Sequence, residues 1–392
     1  MNTPFDIAFD ISFLPTTGGF GTHTAQSLKN FIRFDAQRNY LLLENHIPPS
    51  IPQYQNQAEN RKARWQPLPE QWRHVQTSRH SRIAWMLWDL PRLLQELKPR
   101  LFHSLDNVTV PRRLEFCQTV SMIHDMIPIS HPQYCRRRDT LAAKWLFGRT
   151  VKYSDKIITV SQYSANQILR YFPTAEDKLV VIEDGVDHDR FSPAPNRDAL
   201  ASDLAQKYQL YSPVFWLIVT TLSPRRNLNR FLRAYATHIK ATQDRESCLV
   251  IAGCRGWKDH DSFQLIQSLN LSHRVHFLDF LPDDELVRLF QSAYALAQPS
   301  LLEGFGLTVL EAMACGTPVL CSSTTALGET AGDAALKVDP ENESALARAI
   351  ITLGQDPTLH KELSAKGLTH AQQYRWDETT KRVIALFDQM IR

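Results

Sequence analysis

Gln298-Pro-Ser-Leu-Leu-Glu-Gly-Phe-Gly-Leu-Thr-Val-Leu-Glu-Ala-Met-Ala-Cys-Gly-Thr-Pro-Val319 places two carboxylates, Glu303 and Glu311, on either side of a Gly-Phe-Gly turn in an otherwise apolar run. An unpartnered buried glutamate is costly or takes up a proton, so both side chains require polar company. The stretch reads as strand, turn, helix and strand. An apolar segment at 295–298 meets a turn at Gly304 and Gly306, a helix spans about 307–314, Gly316 closes it, and a strand starts at Pro318. Glu303 then sits at the mouth of the helix and Glu311 more than two turns beyond it. Paired acids suit a glycosidase, as acid and nucleophile; hydrogen bonding to sugar and ribose hydroxyls explains the same residues without either of them titrating.

Outward from this stretch, short apolar runs alternate with segments of helical period. Strands are predicted at 6–11, 40–43, 119–123, 156–161 and 179–183, and again at 215–220, 248–252, 274–278, 295–298 and 318–321. Such alternation gives an α/β fold with parallel sheets and crossover helices. A chain of 392 residues exceeds what one core usually supports, and the alternation restarts after residue 213. The hinge is placed at Phe191-Ser-Pro-Ala-Pro-Asn-Arg197. Residues 45–81 carry Pro, Gln and Arg without sustained period and read as a surface excursion. Ile83-Ala-Trp-Met-Leu-Trp-Asp-Leu90 starts an amphipathic helix; core packing of Trp85 and Trp88 is favoured over a membrane-facing patch.

Apolar residues make up 43% and charged residues 22%, and no apolar run approaches a spanning helix. Met1-Asn-Thr-Pro-Phe-Asp6 has no basic segment followed by an apolar one, so a cytoplasmic enzyme is expected. The six cysteines show neither Cys-x-x-Cys pairs nor zinc-finger spacing and read as buried thiols. A net charge of +3 is too slight to imply nucleic acid, but leaves an anionic ligand or membrane surface open.

In doubly wound sheets, ligands lie beyond the C-terminal ends of strands, where helix N-termini favour anions. Three loops fit. Thr16-Thr-Gly-Gly-Phe-Gly-Thr22 follows the first strand and precedes a helix near Thr22, but has neither dinucleotide-fingerprint nor P-loop spacing. Thr220-Thr-Leu-Ser-Pro-Arg-Arg-Asn-Leu228 offers Arg225 and Arg226 before a helix that Asn227 can cap. Arginine's planar fork suits a diphosphate, although a solvated basic turn accounts for the loop equally well. The third is the Glu303–Glu311 loop itself.

Taken together, these residues resemble family 4 of the retaining, nucleotide-sugar-dependent glycosyltransferases. The resemblance runs through Gly18-Gly-Phe-Gly-Thr22, His124-Asp125, Ile157-Ile-Thr-Val-Ser161, Asp184-Gly-Val-Asp-His-Asp-Arg-Phe191, Pro224-Arg-Arg-Asn227, Gly253, the E-x7-E element with its following Gly-Thr-Pro, and Glu329-Thr-Ala-Gly-Asp333. It implies the GT-B fold: two Rossmann-like domains facing across a cleft, with acceptor-binding residues 1–192, nucleotide-sugar-binding residues 193–375, and a C-terminal helix over 376–392 crossing back to the first domain.

By the same resemblance, Glu303 would hydrogen-bond the donor sugar and Glu311 the ribose. Phe305, Gly306 and Leu307 would lie against diphosphate and sugar, with Gly304 and Thr308 completing the donor-binding set. Arg226 would stand where the family usually carries a lysine, His124 would face the sugar's C6 side, and Gly19 and Gly21 would approach the diphosphate or the acceptor. His124, Glu303 and Arg226 form the implied catalytic set. Two departures stand out: Thr221 where an arginine is common, so that one counter-charge to the diphosphate is either missing or replaced by Arg225, and Asp184 where asparagine is usual.

The implied reaction is retaining transfer of a hexosyl group from a UDP- or GDP-sugar, GDP-mannose among them, to an acceptor hydroxyl in cell-surface polysaccharide or glycoconjugate synthesis. The nucleotide sugar is a co-substrate, and no metal or other cofactor is expected. Asp187-His-Asp189 and Asp259-His-Asp261 resemble metal-binding D-x-D strings but read as solvated acids. The acceptor would be a saccharide, lipid-linked or protein-linked, without nucleic acid and with peripheral membrane association open. Arg136-Arg-Arg138 with Tyr134, and 45–81, could meet it or be solvated. A nucleotide-sugar 2-epimerase and a non-catalytic partner subunit are the alternatives.

Overall fold

The computed structural model describes residues 5–12, 14, 18–45, 67–77, 81–108, 112–135, 140, 142–254 and 260–391. The chain divides into two units, Met1–Gly185 with Trp376–Arg392, and Val186–Arg375. The division falls ahead of the Pro-rich stretch. Val186 is already tied into the second unit, bridging to Arg375 and donating its N–H to the Tyr374 carbonyl at 3.2 Å.

The first unit holds a parallel sheet of β1 (Ile7–Asp10), β2 (Tyr40–Asn45), β3 (Arg73–Thr77), β4 (Leu101–Ser104), β5 (Gln118–Met122), β6 (Lys156–Thr159) and β7 (Leu179–Val181), in the order β3-β2-β1-β4-β5-β6-β7. β1 and β2 are buried at every position, as continuous apolar runs covered on both faces should be. Helix Gly19–Phe34 packs against the closing helix Trp376–Ile391. Phe31 and Phe387 stack at 5.9 Å, the Thr379 hydroxyl donates to the Glu183 carbonyl at 2.7 Å, and Arg38 pairs with Asp388.

The second unit repeats the plan with β8 (Val214–Val219), β9 (Ser247–Ala252), β10 (Val275–Leu278), β11 (Ala295–Gln298), β12 (Val319–Ser322) and β13 (Leu336–Val338), all parallel, in the order β10-β9-β8-β11-β12-β13. Its core is built on Trp216, Phe231, Tyr235, Leu249 and Ile350. Five of the six cysteines are buried free thiols, and Cys135 is half-buried.

Ten strands lie where the apolar runs predicted them. β3, β4 and β13 were not anticipated. β3 corrects the reading of 45–81 as excursion alone, because Arg73-His-Val-Gln-Thr77 forms the sheet's edge, where half-exposed polar residues carry no apolar pattern. Residues 46–66 and 78–80 of that stretch lie outside the described residues, as does Arg136-Arg-Arg138. The helix expected from Ile83 begins as Arg82–Ala84, passes through a π turn at Trp85–Asp89 and continues as Leu90–Leu97. Trp85 enters the core, whereas Trp88 is 65% exposed. No helix among the described residues is long and apolar enough to cross a membrane.

Each strand order reverses once, between β1 and β4 in the first unit and between β8 and β11 in the second. At such a switch point the loops leaving adjacent strands diverge to opposite sides of the sheet and open a crevice at the strands' carboxyl ends. In the second unit, the loops after β8 and β11 are the arginine loop and the first-glutamate loop.

Helix Leu307–Ala314 begins at Gly306, whose φ of 134° and ψ of 45° no side chain adopts comfortably. A Cβ there would also lie 2.9 Å from Leu327 Cδ2, a flexible end that can yield. Backbone strain therefore dominates: Gly306→Ala should destabilise the second unit by about 1–3 kcal/mol, read as a lower midpoint in chemical denaturation. Wild-type stability in that variant would contradict the assignment.

Candidate functional site

In the second unit, β8 runs into a turn of 3-10 helix, Pro224–Arg226, and then helix Leu228–Thr242. Leu301 N–H donates to the Arg225 carbonyl at 2.8 Å, which lays the loop after β11 against the loop after β8. Asn227 precedes the helix in a left-handed conformation, φ 60°, but its side chain does not cap it as expected. Its amide donates instead to the carbonyls of Pro299 at 3.1 Å and Pro340 at 2.7 Å, tying three loops together.

Glu303 is where the two loops converge. Arg225 Nη1 donates to Glu303 Oε2 at 3.1 Å and to the Leu302 carbonyl at 3.1 Å, Arg226 pairs with Glu303 Oε1, and Gln298 Nε2 donates to the same oxygen at 3.0 Å. Charge-assisted bonds from two guanidinium groups make this carboxylate a fixed acceptor rather than a proton donor. Thr221 is exposed, and Arg225 supplies a second cation beside Arg226.

Gly304, Phe305, Gly306, Leu307 and Thr308 form the turn and the first residues of the helix; Phe305 is buried and its carbonyl accepts from the Thr330 hydroxyl at 3.1 Å. The helix thus starts four residues after Glu303, whose carboxylate the arginine pair holds, and its N-terminal end is the positive one, suited to an anion. Glu311 lies half-buried on the same helix.

In the first unit, Gly18 precedes helix Gly19–Phe34, Gly19 is exposed and Gly21 buried. A Cβ built at Gly19 would meet nothing within 4 Å among the described residues apart from its chain neighbours and its own helix backbone. Thr16 and Thr17 lie outside the described residues.

His124 follows β5 and is 9% exposed. Its N–H donates to Asn107 Oδ1 at 2.6 Å, and its carbonyl accepts from the Ser164 hydroxyl at 2.9 Å. Nε2 lies 3.2 Å from the Leu105 carbonyl, which can only accept, so the ring proton belongs on Nε2 and Nδ1 carries the lone pair. Burial pushes this imidazole down to about 4; the nearby His23 adds to the fall, while Asp184 and the Leu105 carbonyl oppose it. His124 is therefore neutral near pH 7 and available as an acceptor.

The sequence reading missed His23. Its Nδ1 sits 2.8 Å from Asp184 Oδ1 in a buried pair, its ring meets that of His124 edge-on at 4.7 Å, and Trp376 lies against it at 5.6 Å. The visible signal was Asp184 itself: an acid in a position usually held by asparagine asks for a cationic or donating partner.

Two deeply buried imidazoles make stability depend on pH. His103 is taken down by burial to about 3 and His124 to about 4, against an ordinary value of 6.5. Between those values the unfolded chain binds more protons than the folded one, so stability is intact above about pH 6.5 and falls as the pH drops through the window. The expected loss is about 2 kcal/mol per such histidine at about pH 5. His124→Gln should remove its share of this slope in urea denaturation and leave that of His103; an unchanged slope would contradict the buried neutral state.

Residues 22–190 match the family described as Glycosyltransferase Family 4, and residues 204–370 match Glycosyl transferases group 1. The O-antigen chain mannosyltransferase B of Escherichia coli is 32% identical over 291 residues, covering 74% of each chain. The serotype-specific mannosyltransferase WbdA of Escherichia coli is 24% identical over 336 residues, 83% of this chain and 41% of that protein, so the chain spans less than half of that relative. Among solved structures, Anabaena Alr3699/HepE in complex with UDP and glucose superposes with a TM-score of 0.75 at 17% identity, covering 98% of this chain and 100% of that one. WaaG, a glycosyltransferase involved in lipopolysaccharide biosynthesis, gives 0.73 at 15% identity over 97% and 99%. With two parallel α/β units, the E-x7-E loop at a switch point and these likenesses, the chain belongs to glycosyltransferase family 4 and has the GT-B fold.

Proposed function

We propose that this glycosyltransferase moves a hexosyl group, with retention, from a nucleoside diphosphate sugar to a saccharide hydroxyl during polysaccharide synthesis. The observation that carries the reading is the convergence of Arg225, Arg226 and Gln298 on Glu303 beside the helix that starts at Gly306. GDP-mannose is the leading donor, because relatives along most of the chain are named as mannosyltransferases.

In this reading, Val186–Arg375 binds the donor. Arg225 and Arg226 orient Glu303, and their two positive charges favour the diphosphate. Glu303 accepts from sugar hydroxyls and Glu311 from the ribose. Gly304, Phe305, Gly306, Leu307 and Thr308 bring the helix N-terminus to the leaving group. As the anomeric C–O bond breaks, negative charge grows on the β-phosphate and is met by the arginines and the positive end of that helix; the acceptor oxygen bonds to the same carbon and its proton leaves with the diphosphate. Met1–Gly185 with the closing helix holds the acceptor, Gly19 and Gly21 give close approach, and neutral His124 accepts from a sugar hydroxyl through Nδ1.

Transfer proceeds without a metal in this account. His23, His124 and Asp184 are the grouping among the described residues that could contact a cation; His23 Nδ1 engages Asp184 and His124 Nε2 the Leu105 carbonyl, with His124 Nδ1 left open. Of the D-x-D strings expected to be solvated acids, Asp189 is exposed but Asp187 is buried, because it lies inside its own turn; Asp259 lies outside the described residues.

Thermal-shift titration with GDP-mannose, UDP-glucose, UDP-GlcNAc and UDP-galactose should give its largest stabilisation with GDP-mannose. A larger response to a UDP-sugar would overturn the donor assignment. Glu303→Gln and Arg226→Ala should each lower kcat/KM by roughly 10–100-fold, the worth of one charged hydrogen bond. EDTA should leave the rate unchanged; loss of activity restored by Mn²⁺ would refute the metal-free mechanism.

A further inference from the structure

His23, His124 and Asp184 are all buried in the first unit, and one ligand atom from each lies within 4.8 Å of the other two. Among the described residues Asp184 accepts one hydrogen bond, from His23 Nδ1 at 2.8 Å, although a carboxylate has lone pairs for about four donors. A carboxylate so sparsely served away from water calls for positive charge. His124 brings a lone pair to the same place: its ring proton is committed through Nε2 to the Leu105 carbonyl at 3.2 Å, which leaves Nδ1 open.

The surroundings match what a ligating histidine needs. A histidine that binds an ion through one nitrogen is held by an acceptor on the other. His124 has the Leu105 carbonyl in that position, and His23 has the Ser27 hydroxyl, one helical turn on, 3.4 Å from its Nε2. Both Nδ1 atoms are therefore the ones available, and His23 Nδ1 already faces the carboxylate. Phe20 and His23 meet the His124 ring edge-on at 4.8 and 4.7 Å, and Trp376 meets His23 at 5.6 Å, so packing holds both rings. Ligand atoms about 2.1 Å from an ion at tetrahedral angles lie about 3.4 Å apart, so side-chain shifts of about 1 Å gather the three around one ion.

We propose that His23, His124 and Asp184 form a site for a divalent transition-metal ion of the Zn²⁺ and Co²⁺ class, and that the ion inhibits the enzyme by taking the His124 lone pair. Two imidazoles and one carboxylate suit such ions and discriminate against Mg²⁺, which prefers oxygen ligands. The ion receives Nδ1 of each histidine and one Asp184 oxygen, with water in the fourth position. The His23 ring proton passes from Nδ1 to Nε2, where Ser27 Oγ accepts it. No step of glycosyl transfer runs through the ion. Inhibition rests on the proposed role of His124 as acceptor from a sugar hydroxyl; binding of the ion does not.

The test is titration of the full chain, freed of metal with EDTA and desalted, with CoCl₂ in the absence of donor and acceptor. The visible absorption of tetrahedral Co²⁺ should saturate at one ion per chain, without the near-ultraviolet charge-transfer band of cysteine ligation, and Zn²⁺ but not Mg²⁺ should displace it. His23→Gln and Asp184→Asn should each weaken binding by at least about 100-fold and Ser27→Ala by roughly tenfold, since a ligand is worth more than the acceptor behind it. Ser27→Ala keeps both ligands and the ring packing, so it reads the site even where His23→Gln fails to fold. Absence of the Co²⁺ spectrum, a thiolate band, or wild-type affinity in Ser27→Ala would overturn the site, whatever the enzyme transfers. With GDP-mannose as donor, Zn²⁺ should inhibit transfer and EDTA restore it, and Ser27→Ala should keep the uninhibited rate while needing about tenfold more Zn²⁺ for half-inhibition. A full rate with the site occupied, or half-inhibition unshifted in Ser27→Ala, would overturn the inhibition.

Discussion

Glu303 holds the second unit's crevice in order. Its carboxylate receives Arg225, Arg226 and Gln298, so one side chain joins the loop leaving β8 to the end of β11 and the turn that follows it. The sheet separates those loops at its switch point; the charge pairing brings them back together beside the helix N-terminus. Take away the carboxylate and two guanidinium groups are left to repel one another in a half-buried setting, with Leu301 N–H to the Arg225 carbonyl as a remaining link. The same group therefore shapes the site and, in the proposed mechanism, reads the donor.

The first unit solves a different problem with related means. His124 must be neutral to accept a hydrogen bond, and burial with a carbonyl on Nε2 achieves that. The His23–Asp184 pair beside it keeps a buried carboxylate partnered and fixes the ring that His124 meets edge-on. The closing helix contributes Trp376 to that contact and takes hold of the chain at Glu183, so the C-terminal segment bears on the residues around His124.

Much of this was legible in the sequence because buried parallel strands leave continuous apolar runs, and ten strands could be placed from them. The misses share a cause. β3 is a half-exposed edge strand, β4 is four residues with a histidine, and β13 is three residues with a central lysine, so none carries a run long enough to count. At the site, residue types and spacing pointed to Glu303, Arg225 and Arg226 separately, but not to their mutual pairing, which depends on how two loops far apart in sequence approach. Asn227 shows the same limit: it stands where a cap belongs, yet a left-handed backbone turns its amide toward Pro299 and Pro340. His23 was invisible because its role comes from Asp184, 161 residues away.

The central claim is retaining transfer from a nucleotide sugar, and the most direct measurement is proton NMR of the product formed from GDP-mannose and a manno-oligosaccharide acceptor, followed from the first turnover. The account predicts a new glycosidic linkage with the anomeric configuration of the donor and release of GDP in equal amount. An inverted linkage, an epimerised nucleotide sugar, or free sugar formed in place of a linkage would contradict it.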